Sequence, residues 1–204
     1  MQRGLSRAVF GFLDRIILLL SFGEIAESGM GVVEGPISEK YAALMRALLA
    51  GPDYARLMGG PKDLAAPGLP AEWTRALTRR ALGRARGGVE AACFVYAHTQ
   101  LDVLAGELLG LVESGNPRPP LAARSLLTSA KACRLSRACG AGGSKALCAR
   151  LARLDRLRDE VAAGRALGPF PEELQALLAS GLELAALAAR KLGARLDPSE
   201  LLAP

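Results

Sequence analysis

Histidine is nearly missing from this 204-residue chain: His98 stands alone. A zinc site built on two or three imidazoles therefore cannot form within one chain. Chemistry that needs two histidines would require subunits to share a site. Aromatic residues make up 4% of the sequence, with a single tryptophan, Trp73. β-Branched residues are also scarce, which argues against an all-β fold. The four cysteines, Cys93, Cys133, Cys139 and Cys148, include no CxxC spacing. Without that spacing or a second histidine they do not read as metal ligands. Free thiols in a reducing compartment are the simplest expectation, and they place the chain in the cytoplasm.

Long apolar runs are lacking too. Asp14 and Arg15 interrupt the apolar stretch near the N-terminus, and the apolar run from Ile16 to Leu20 is too short to span a bilayer. No small-residue cleavage site comes after Leu20, so the segment makes a poor signal peptide. Leu5, Val9, Phe12, Ile16 and Leu20 instead recur at helical spacing. A core helix is expected there. A helix lying on a membrane surface is the alternative, and stable transmembrane insertion is not expected.

Leucine and alanine dominate the composition, and half of the residues are hydrophobic. Such a chain can bury a sizeable core of packed helices. The spacing predicts a first helix over 6–22, broken by Gly29, Gly31 and Pro36. A second begins after Ser38, and prolines between 59 and 70 mark a long loop. A third helix runs from 71 to 113, weakened or kinked at Gly87 and Gly88. Val89, Cys93, Tyr96, Gln100, Val103, Leu108 and Leu111 wind around its apolar face. A fourth covers 121–138, a fifth 145–163 with Ser144 as its cap, and a last 172–192. The expected fold is all-α, an irregular up-and-down bundle of five to six helices with a four-helix core. Residues 1–70 would form an N-terminal helical extension packed on that core, 71–195 the core itself, and 196–204 a loosely ordered tail.

The net charge is +6. Residues 71–140 carry ten basic and five acidic side chains, so the excess sits in the middle. Arg79, Arg80, Arg84, Arg86, Lys131, Arg134 and Arg137 are the candidate nucleic-acid contacts. Aromatics are not interleaved with them, which argues against a platform for stacking single-stranded bases. The Gly140–Gly143 run lacks the lysine spacing and preceding strand of a phosphate loop.

Two places could carry chemistry. His98 and Asp102 are four apart on a helix, so the carboxylate could orient the ring as half of an acid–base site. Arg158 and Asp159 stand one turn before a helix end, with Ala163 and Gly164 beyond. This second arrangement resembles the HEPN family, the helical "higher eukaryotes and prokaryotes nucleotide-binding" domain. Arg158 matches its arginine, Asp159 the polar residue after it, and Gly164 its trailing glycine. The family's histidine position falls on Ala163. The resemblance covers about residues 75–192. It implies a homodimer and metal-independent cleavage of RNA, in defence or toxin–antitoxin systems. Ala163 cannot move a proton, so the chain reads as a non-catalytic relative that associates with itself or another protein and binds RNA or a nucleotide. The alternative is a ribonuclease using Arg158, Asp159, His98 and Asp102. No metal and no cofactor are expected.

Overall fold

The computed structural model describes residues 2–49, 69–118, 123, 125–140, 145–166, 168 and 170–196. Among them are five helices: α1 (Gln2–Leu49), α2 (Leu69–Ser114), α3 (Thr128–Ala138), α4 (Lys145–Ala162) and α5 (Pro171–Leu192). The chain is an irregular all-α bundle, and α2 to α5 supply its core of contacting helices.

The first two expected helices are one. α1 runs 48 residues with Pro36 inside it. Gly29 and Gly31 do not end it, and Ser38 lies within the helix rather than capping a new one. Glycine costs a helix about 1 kcal/mol and proline about 3, penalties that flanking helix formers can outweigh. The expected loop between 59 and 70 falls almost wholly outside the described residues, as do Ser144 and the tail beyond 196. α2 passes through Gly87 and Gly88 without a break. The fourth helix starts at Thr128 rather than 121, after a helical turn at Ala123.

Two compact units divide the chain, one of residues 1–22 with 90–204 and one of 23–89. The smaller unit holds the later part of α1 and the earlier part of α2. The larger unit holds the core. Leu5, Val9, Phe12 and Ile16 of α1 are buried there, as the spacing predicts, but Leu20 of the same stripe is exposed. α2 buries Phe94, Ala97, Leu101, Leu104, Leu108 and Leu109. Of the expected face Cys93, Leu108 and Leu111 are buried, whereas Tyr96 and Val103 are exposed, so the buried stripe departs from the expected one in the stretch between them. α4 turns Leu147, Leu151, Leu154 and Val161 inward, and α5 does the same with Leu177, Leu184 and Leu187.

Helix ends are closed locally. α5 opens on Pro171 with Glu172 and Glu173 in its first turn and carries Arg190 and Lys191 in its last. These charges complement the helix dipole at both ends. Gly193 then adopts a left-handed conformation (φ 58°), and the Ala194 N–H donates to the Ala189 carbonyl, which terminates the helix. Arg150 of α4 donates to Ser180 (2.9 Å) and to Glu183 (2.6 Å) of α5.

Cys133 and Cys148 are joined as a disulfide, with Cα atoms 5.8 Å apart, linking α3 to α4. The expectation of free thiols holds for Cys93 and Cys139 only. Among the described residues no helix is long and apolar enough to cross a membrane.

Two glycines give stability changes of opposite sign. A Cβ at Gly181 of α5 would stand 2.7 Å from the Phe12 ring, whereas one at Gly83 of α2 would meet nothing within 4 Å. Gly181→Val should destabilise by about 1–3 kcal/mol through overpacking. Gly83→Ala should stabilise by roughly 0.5–1 kcal/mol through helix propensity. Urea unfolding of the two variants checks both signs.

Candidate functional site

His98 lies in the latter half of α2, and its side chain is fully buried (0% exposed). Asp102, one turn along, does not meet it. The ring instead reaches across to α4, where His98 Nε2 lies 2.8 Å from Asp155 Oδ1. An ionised carboxylate only accepts, so Nε2 carries the hydrogen. Nδ1 has no hydrogen-bond partner and is shut off from solvent. The ring of Phe94 lies 6.4 Å from the imidazole, centroid to centroid, and Phe170 stacks beyond Phe94 at 5.1 Å.

The other oxygen of Asp155 accepts from the backbone N–H of Ser129 at 3.0 Å. Ser129 belongs to the first turn of α3. The residue before that helix, Leu127, has no side chain that can cap it. Asp155 thus satisfies an N–H that the helix itself leaves open and puts a negative charge at the positive end of the helix. Burial works to raise the pKa of Asp155. The hydrogen bonds from His98 and Ser129 outweigh it, and the carboxyl sits below its usual range. One carboxylate therefore ties together α2, α3 and α4.

Asp102 has partners of its own. Thr128 Oγ1 donates to its Oδ1 at 2.8 Å, and Lys131 Nζ donates to its Oδ2 at 2.7 Å. Lys131 is buried, so this ion pair fixes its ammonium against α2. The expected His98–Asp102 couple is in fact two separate polar contacts, each running to a different helix. Periodicity places 98 and 102 on one face, but it cannot say that Asp155, 57 residues on, competes for the ring. Arg158 is half-buried on α4 and donates through both Nε and Nη2 to its neighbour Asp159. Ala163 and Gly164 lie exposed in the turn after α4.

The basic residues separate into two groups. Arg79, Arg80, Arg84 and Arg86 are exposed in the smaller unit. Lys131, Arg134 and Arg137 belong to the larger. Lys131 is held by Asp102, and Arg134 grips Glu113 through two bonds of 2.6 and 2.8 Å. Arg137 is exposed and donates to the Cys133 carbonyl of its own helix. Among the described residues no group of three or more His, Cys, Asp or Glu side chains is placed to hold a metal ion.

Sequence reading missed a row on α1. Past Ile16 the helix leaves Ile17, Leu18 and Phe22 62%, 67% and 57% exposed in the larger unit. Ile25 and Val32 of the smaller unit are exposed as well. The signal was there, as apolar residues continue beyond Leu20, but a helix ended at Phe22 hides their spacing.

No protein-family model matches this chain, and no curated protein or solved structure matches it.

Removing one partner of a buried pair strands the other. Asp155→Ala should therefore cost about 3–5 kcal/mol of folding stability. Because the folded pKa of Asp155 is lowered, its contribution is present above the unfolded value of about 4 and is lost as pH falls below it. The stability gap between wild type and Asp155→Ala should narrow on acidification, as measured by urea unfolding at pH 7 and pH 3.

Proposed function

We propose that this chain is a non-catalytic helical domain that associates with a second copy of itself through α1. The observation that carries this reading is the row of apolar side chains that α1 leaves in solvent. In the larger unit these are Ile17, Leu18 and Phe22, with Leu18 and Phe22 four residues apart on one face of the helix. Residues at that spacing present a stripe toward a facing helix. A stripe on one helix can pair with its own copy about a two-fold axis. Large apolar side chains exposed in a contiguous row are a mark of association surfaces.

The side chains named for catalysis favour a structural reading. A general acid or base must reach the proton it transfers. His98 has no exposed surface and is bound to Asp155, and both oxygens of Asp102 are occupied. The resemblance to HEPN proteins rests on Arg158, Asp159 and Gly164, and a dimeric relative without ribonuclease chemistry is consistent with it. RNA binding, as an added property, would fall on Arg79, Arg80 and Arg84, which are exposed in the smaller unit.

Sedimentation velocity over a range of concentrations tests the proposal. The wild-type chain should dimerise, and Leu18→Lys with Phe22→Lys should weaken the dimer by about tenfold or more. Circular dichroism should be unchanged, because both positions are exposed. A wild-type monomer at every concentration would overturn the proposal, and binding of that monomer to vesicles would point to a membrane-surface role for α1.

A further inference from the structure

α3 is the shortest of the five described helices, and it is fastened differently at its two ends. It spans 11 residues and has no side-chain cap at its start. Carboxylates hold its first turn. Asp155 accepts from the Ser129 N–H, and Asp102 accepts from Thr128 and Lys131. The second half of α3 buries Leu135 and Ser136. Its covalent tie is the disulfide from Cys133 to Cys148 of α4.

The surroundings of that bond suit a reversible couple. Both cysteines are half-buried rather than buried, and access is one of the conditions that let a thiol exchange with a disulfide. Cys148 is the fourth residue of α4. The N-terminal end of a helix favours negative charge, so the Cys148 sulfur is the better leaving group when the bond breaks. Cys139, free and half-buried, cannot take the place of Cys148. It stands six residues beyond Cys133, a rise of about 9 Å along a helix, whereas bridged Cα atoms lie within about 7 Å. Burial also pushes its pKa up, against the pull of Lys191 and Arg190, which keeps it a thiol rather than the reactive thiolate.

We propose that Cys133 and Cys148 form a redox-sensitive lock on the second half of α3, opened by a dithiol reductant. A thiolate of the reductant attacks Cys133 Sγ. The S–S bond breaks, and its electron pair leaves on Cys148 Sγ, which takes a proton from solvent. The second thiolate of the reductant then displaces Cys133 Sγ from the mixed disulfide, and Cys133 is protonated in turn. The protein gains two electrons and two protons, and the dithiol becomes a disulfide. The bond closes a loop between cysteines 15 residues apart, which limits the open states available to that segment. Once it is broken, Asp155 and Asp102 still hold the first turn of α3, while the last turns can open locally.

Hydrogen exchange on the full chain, with and without a dithiol reductant, tests the lock. Reduction should speed exchange of the amides from Leu135 to Cys139 by about tenfold or more, with a smaller change along α5. Cys148→Ser should exchange at the reduced rate in both conditions, and Cys139→Ser should respond as the wild type does. The wild-type comparison needs no variant, so the test stands even if Cys148→Ser folds poorly. Wild-type exchange that ignores the reductant, a response that survives in Cys148→Ser, or an equal acceleration throughout α5 would each overturn the proposal.

Discussion

The carboxylate of Asp155 receives a ring N–H from α2 and a backbone N–H from α3 while anchored on α4. A buried charge is tolerated only when its lone pairs are matched, so each of the three helices is constrained by the same two oxygens. The apolar residues around this junction supply the bulk of the burial, but leucine and alanine surfaces alone permit helices to slide or rotate. The polar contact removes that freedom. Its cost is visible at His98 Nδ1, which is left without a partner in the interior.

Legibility in the sequence divides along the same line. Helical content, the boundaries of the last two helices and the buried faces of α4 and α5 are set by leucine periodicity, a local property. The continuity of α1 was not legible. Glycine and proline are read as stops, while at Gly29, Gly31 and Pro36 the helix runs on through them. At the site, residue types were legible and pairings were not. His98 and Asp102 share a face, and nothing local to α2 reveals that Asp155 lies opposite the ring or that Lys131 lies opposite Asp102. The Cys133–Cys148 bridge likewise depends on α3 and α4 lying side by side.

α1 joins these features to the outside. Its first turns bury Leu5, Val9, Phe12 and Ile16 in the core. Its next turns hold apolar side chains in solvent. One amphipathic pattern thus serves the core and then gives way to a surface of a different kind, with no break in the helix. Association is therefore proposed for the exterior of α1, while His98 is closed off within the core.

That assignment stands or falls on whether His98 and Asp155 act as a structural unit. A double-mutant cycle of His98→Gln and Asp155→Asn, read by urea unfolding, measures their coupling directly. The account predicts a coupling energy within the range of about 0.5–3 kcal/mol found for residues in direct contact. Effects that add to within about 0.3–0.5 kcal/mol would contradict it, because the two side chains would then contribute to stability independently.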